Sequence, residues 1–134
     1  MTTFVFDTEA LLSFYLGEPG GKKVEAYLQE MTRGESEGFL NVVNLSEIYY
    51  ILFRKNPVIA AEKEQNLRGY GVRVVSVEEN NNLWREAAEI KASYALSLAD
   101  AFAAATAKAK KGTLIVGRDA EFTEIKGIKI ERTR

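Results

Sequence analysis

Apolar residues fall along this chain in short blocks that alternate between continuous runs and helical stripes. Residues 3–6, Thr3-Phe4-Val5-Phe6, form a run too short for a helix, which predicts a strand buried on both faces. Residues 8–16 follow with Leu11, Leu12, Tyr15 and Leu16 at helical spacing, and Gly17-Glu18-Pro19-Gly20-Gly21 stops that helix. Residues 22–32 predict a second helix, with Val24, Tyr27, Leu28 and Met31 on one stripe, and the polar stretch 33–38 predicts a loop. A second strand is expected at 39–43, then a helix at 44–55 that Asn56-Pro57 breaks, and a further amphipathic helix at 58–68. Residues 72–77 predict a third strand and 78–95 a long helix with Leu83, Trp84, Ala87, Lys91 and Tyr94 on one face. An Ala-rich helix at 97–111, closed by Gly112, a fourth strand at 113–116 and a short fifth at 127–131 complete the pattern.

Strands separated by helices imply a parallel sheet covered on both sides, a three-layer α/β/α architecture. No linker or repeat divides the 134 residues, so 1–134 is expected to be a single domain. No run approaches a membrane span and no signal peptide precedes the first strand, so the expected location is the cytoplasm.

Composition narrows the chemistry. The chain has neither Cys nor His, which excludes disulfide scaffolds, Cys-rich zinc sites, Cys nucleophiles and every His-based general-base scheme. Of nineteen acidic residues, three are Asp: Asp7, Asp100 and Asp119. Asp7 directly follows the first strand, Asp119 follows the fourth by two residues in Val116-Gly117-Arg118-Asp119, and Asp100 lies in the first turn of the Ala-rich helix. Glu47 has an equivalent place after the second strand. In a parallel α/β fold, ligands gather beyond the carboxyl ends of the strands. Singly, each acid also fits a helix cap: Asn44-x-x-Glu47 and Ser97-x-x-Asp100 match the capping box, and Asp7 and Asp119 suit N-caps. Together, four carboxylates within about 4–6 Å would repel by roughly 3–4 kcal/mol per close pair at an effective dielectric near 20. A divalent cation removes that repulsion, and oxygen ligands suit Mg²⁺ or Mn²⁺.

Three further features bear on the site. Ala103, Ala104 and Ala107 share a face with Asp100, either to let the helix sit close to the sheet or because Ala is the best helix former. The helix at 44–55 has Leu45, Ile48, Tyr49 and Leu52 on one stripe and Tyr50 and Ile51 off it, so it is either internal or covered by a partner subunit. Residues 1–100 carry 10 basic and 15 acidic groups, and residues 101–134 carry 8 basic and 4 acidic. That cationic segment, with Lys108, Lys110, Lys111 and Arg118, suits a phosphate-binding rim, although last-turn lysines also complement a helix dipole.

Val5-Phe6-Asp7-Thr8, Asn44-Leu45-Ser46-Glu47-Ile48-Tyr49-Tyr50, Leu98-Ala99-Asp100-Ala101 and Leu114-Ile115-Val116-Gly117-Arg118-Asp119-Ala120-Glu121-Phe122, in this order and spacing, resemble the PIN-domain family. The resemblance is closest to its VapC-type toxins of toxin–antitoxin systems, and it covers nearly the whole chain. It implies a PIN-like domain with a five-stranded parallel sheet and an endoribonuclease that hydrolyses RNA through a metal-activated water. A homodimer and a small antitoxin partner are also implied. By position, Asp7, Glu47 and Asp100 would be the core catalytic and Mg²⁺ (or Mn²⁺) binding acids and Asp119 the fourth, with Thr8, Arg118 and Lys111 as possible substrate or phosphate contacts. Family members usually carry Thr or Ser where this chain has Gly117. That departure motivates the alternative of a catalytically silent PIN-like module for dimerisation or regulator binding. A receiver-like phosphoacceptor domain is disfavoured, because the third strand ends in Ser76-Val77-Glu78 without an Asp.

Overall fold

The computed structural model of the chain describes residues 1–117, 122 and 124–134. Its elements are β1 (Thr2–Phe6), α1 (Thr8–Tyr15), α2 (Gly21–Thr32), β2 (Ser36–Asn41), α3 (Val42–Lys55), α4 (Pro57–Gly69), β3 (Arg73–Val75), α5 (Leu83–Ser93), α6 (Leu98–Lys110), β4 (Thr113–Val116) and β5 (Ile130–Arg132). The strands form one sheet in the order β3-β2-β1-β4-β5, with every neighbouring pair parallel. The expected three-layer α/β/α architecture with a five-stranded parallel sheet is the one observed.

Strand alternation builds two cores. Val5, Phe39, Val75, Leu114 and Val116 project to one face, where Leu83, Ala87 and Ile90 of α5 and the alanines of α6 meet them. Phe4, Phe6, Leu40 and Ile115 project to the other, against Leu11 of α1, Val24 and Leu28 of α2, Ile48 and Leu52 of α3 and Leu67 of α4. Phe6 and Ile115 are wholly buried, and truncating Phe6 to Ala would cost about 3–5 kcal/mol. Because β1 is central, with β2 on one side and β4 on the other, the strand order reverses there, and the carboxyl end of β1 is the natural ligand position.

Several boundaries differ from expectation. β2 begins at Ser36 inside the expected loop, because Ser36 pairs with Thr2 and Glu37 with Thr3. It ends at Asn41, whose side chain accepts the Val43 N–H at 2.9 Å and starts α3 there instead of at Asn44. The expected helix at 78–95 is interrupted: one 3₁₀ turn at Glu79–Asn81 precedes α5, with Asn80 at φ 56° and Asn81 at φ 70°. Asn tolerates this left-handed backbone, which a continuous helix excludes. Consequently α5 buries Leu83, Ala87 and Ile90, while Trp84 is exposed. The fifth strand lies slightly later than expected, after a turn at Gly127 (φ 82°).

Candidate functional site

Asp7 is the junction between β1 and α1. Its backbone N–H donates to the Ile115 carbonyl at 3.0 Å, fixing it beside β4, and its Oδ1 accepts the Ala10 N–H at 2.7 Å as the N-cap of α1. The side chain is buried. The capping expectation for Asp7 is therefore met, yet capping engages one oxygen of a group that has two.

Asn44 organises the next layer. It sits in the first turn of α3 and is completely buried. Its Nδ2 donates to Thr8 Oγ1 at 3.2 Å and to the Ala99 carbonyl at 3.1 Å, joining α3, α1 and α6 at one point. The capping box expected at Asn44-x-x-Glu47 is not formed, because Asn41 caps that helix. Asn44 Oδ1 is buried without a hydrogen-bond partner among the described residues, an omission that costs about 1–3 kcal/mol. Opposite, Ser97 caps α6 by accepting the Asp100 N–H at 3.1 Å, as its sequence motif suggests.

These three helix starts enclose a cleft of about 210 Å³ lined by Thr8, Glu9, Leu12, Glu47, Ile51, Ser97 and Asp100. The structure thus brings Thr8, Glu47 and Asp100 together, while the buried Asp7, directly before Thr8, is not among the residues that line the cleft. Glu47 and Asp100 are half-buried. Asp119 and Arg118 lie outside the described residues. Lys111 is not brought to the cleft: it closes the far end of α6, thirteen residues after the helix begins beside Asp100. The cationic rim expected from residues 108–111 is also largely engaged elsewhere. Lys108 pairs with Glu86 and Lys110 with Glu79, each at 2.5 Å, and the hydrogen bond and charge of Glu86 raise the Lys108 ammonium above its usual range.

Two residues of this region escaped sequence reasoning in their present roles. Asn44 looked like a cap; its spacing of three from Glu47, which places both on one helix face, was the available signal. Glu9, an acid in the first turn of α1, carries no sequence signal that sets it apart from the other fifteen Glu.

The chemistry of the lining is uniform. Among the described residues, every polar side chain of the lining is a carboxylate or hydroxyl and none is basic. Such a donor set fits a hard divalent cation rather than a soft or nitrogen-preferring one. Among the described residues, no group of three or more acidic side chains is already arranged to hold a metal ion. The donor types fit, and closing on an ion requires the half-buried carboxylates to turn inward. A larger concavity of about 620 Å³ lies elsewhere, at the turn between α1 and α2. It mixes Glu18 and Glu25 with Lys22 and Lys23, and its Thr133 hydroxyl is sealed from solvent.

Comparison with known proteins agrees with this geometry. No curated protein sequence matches the chain. Among solved structures, a chain of VapBC2 from Rickettsia felis bound to a promoter DNA fragment superposes with a TM-score of 0.78 at 13% identity, covering 98% of both chains. A chain of DNA-bound VapBC from Salmonella typhimurium gives 0.77 at 16% identity over 100% of both, and one from a Klebsiella pneumoniae toxin–antitoxin complex gives 0.72 at 18% over 97% of both. At these identities the likeness establishes a shared fold. Residues 4–128 match the PIN domain, nearly the whole length, and the chain therefore belongs to the PIN-domain family.

Proposed function

We propose that this protein is a Mg²⁺- or Mn²⁺-dependent endoribonuclease of the VapC toxin kind, acting in the cytoplasm as a homodimer and restrained by a small antitoxin. The observation that carries this reading is the oxygen-lined cleft in which Thr8, Glu47 and Asp100 meet at the end of β1. Membership of the PIN family supports nuclease activity, and the structural neighbours, described as VapBC and toxin–antitoxin complexes, support the toxin role.

Asp7, Glu47 and Asp100 would hold the cation, with Asp119 as the fourth acid. When bound, that ion would supply Lewis-acid stabilisation of phosphate charge and lower the pKa of water. The chain's own groups do the rest. Asp7 is held on a rigid strand end by the Ala10 N–H. Asn44 holds Thr8 and the α6 carbonyl at fixed separation, and so spaces Glu47 from Asp100. A cation held by these acids would add positive charge where an RNA phosphate would approach, which makes RNA binding depend on cation loading. Thr8, buried in the cleft lining with its Oγ1 accepting from Asn44, would donate its hydroxyl proton to a phosphate oxygen. No side chain is needed as general base, consistent with a chain lacking His.

The decisive experiment is Asp100→Asn, with folding verified by circular dichroism. Mn²⁺-dependent RNA cleavage should fall at least about a hundredfold, as expected when a charged group central to transition-state stabilisation is removed. Equal cleavage by parent and variant would sink the assignment. A second reading, the silent module, is favoured by the lack of a ready-made three-acid group among the described residues and by the exposed apolar surface of α3 and α4. Mn²⁺ titration separates the two: binding that disappears in Asp7→Asn supports the nuclease, and no binding by the parent supports the module.

A further inference from the structure

The turn Gly17-Glu18-Pro19-Gly20-Gly21 stops α1 and feeds α2, and it leaves the start of α2 without a side-chain cap. Gly20 is the N-cap, in left-handed backbone at φ 94°. The Gly21 N–H donates to the Glu18 carbonyl and the Lys23 N–H to the Gly20 carbonyl, whereas among the described residues no acceptor meets the Lys22 N–H. The first turn of α2 holds no acid and two lysines, Lys22 and Lys23, set against the positive end of the helix dipole. Lys23 is engaged: its Nζ donates to the Arg132 carbonyl at 3.1 Å and lies 3.8 Å from Glu131. Lys22 has no ion-pair partner among the described residues.

A second observation comes from the residue after β5. Thr133 donates its N–H to the Val116 carbonyl at 3.0 Å, and its side chain is 8% exposed. Its Oγ1 is buried with no hydrogen-bond partner among the described residues. That hydroxyl faces the N-cap of α2, since a Cβ at Gly20 would lie 2.7 Å from it. Thr133, Gly20, Gly21, Lys22 and Lys23 line one concavity of about 620 Å³. Glu18 and Glu25 share its rim as exposed side chains, whose charges water and salt screen. An orphaned hydroxyl, an open helix N–H and an unpaired ammonium are all donors, and together they call for an anion rich in acceptors.

We propose that this concavity is a phosphate-binding subsite, in which the Lys22 N–H, the Lys22 ammonium and the Thr133 hydroxyl hold the phosphate oxygens. It shares the sheet edge with the cleft: Asp7 bonds the Ile115 carbonyl on one side of β4, and Thr133 bonds the Val116 carbonyl on the other. Strands β1 and β5 are two spacings apart, about 10 Å. A backbone phosphate of an RNA strand laid across that edge and a free phosphate ion are therefore the two sources. The subsite needs no cation in the cleft and goes beyond the nuclease reading.

The test is phosphate titration of the intact protein without divalent metal, at constant ionic strength, read from the amide resonances of Gly21 and Lys22. Phosphate should shift both to saturation, and chloride should not. Lys22→Gln and Thr133→Val should each weaken phosphate binding about tenfold, the loss of one charge-assisted hydrogen bond. Thr133→Val also removes an orphaned hydroxyl, so it should not lower the melting temperature. Lys91→Gln on α5, outside the concavity, should bind as the parent does. A short oligouridylate in EDTA distinguishes the sources: displacement of bound phosphate supports an RNA backbone phosphate, and no displacement supports the free ion. The subsite is overturned if phosphate leaves both resonances unmoved, if chloride shifts them equally, or if Lys91→Gln weakens binding as much as Lys22→Gln. Thr133→Val binding phosphate like the parent overturns it too. None of these outcomes depends on Mn²⁺ binding or RNA cleavage, so the subsite and the nuclease reading fail separately.

Discussion

Asp7 illustrates how one residue can cap a helix and still serve a site. Its Oδ1 is committed to the Ala10 N–H, and that commitment fixes where the other oxygen points. Asn caps as well as Asp, so Asp7→Asn should leave the stability within about 1 kcal/mol of the parent while abolishing Mn²⁺ binding. Separating the two effects in one melt-and-titration pair is the check. Asn44 makes the opposite case. Asn44→Ala removes two buried hydrogen bonds that join three helices and should destabilise by about 1–3 kcal/mol, visible as an earlier urea midpoint. Activity should fall further than stability explains, because Thr8 and α6 lose their common anchor. At this scale the sequence was legible for types and faint for roles. Three Asp in a His-free chain pointed to a hard-cation site, yet which Asn would cap α3 depended on where β2 stopped, a tertiary fact.

Helix α6 shows what an element contributes beyond its residues. Every residue from Ala101 to Ala107 is buried, so the helix is enclosed by the sheet, α5 and α3. The alanines are therefore there for close approach, and helix propensity alone does not account for them. A small residue at each contact brings the axis near the sheet and carries Asp100 inward with it. Ala104→Leu should cost about 1–3 kcal/mol by overpacking and displace Asp100, lowering both melting temperature and cation affinity. Periodicity made the strands and most helices legible because both cores follow from alternation and helical stripes. It failed over 78–95, where the apolar spacing continues but Asn80 and Asn81 take left-handed backbone, a local choice that periodicity does not encode. It also failed at Ser36 and Glu37, polar residues made strand by pairing with β1.

Across the whole molecule, the inner and outer faces of the helical layer differ in kind. Ile48 and Leu52 close the core, while Tyr50 and Phe53 of α3 and Val58 of α4 are each about half exposed or more, at 47%, 49% and 64%. The alternative of a wholly internal helix is thus excluded, and the exposed surface suits a second copy of the chain. Light scattering should return twice the 15.0 kDa chain mass for the parent and the single-chain mass for Phe53→Lys, with secondary structure unchanged. The sheet order has one more outcome. β1 is synthesised first, yet it pairs with β4, Phe4 opposite Thr113, and Asp7 reaches the Ile115 carbonyl only when that strand docks. Such long-separation pairing is slow to form and comes late in folding. A nascent chain on the ribosome therefore carries its acids on unconnected segments, and the cleft that they line is not assembled until β4 has emerged.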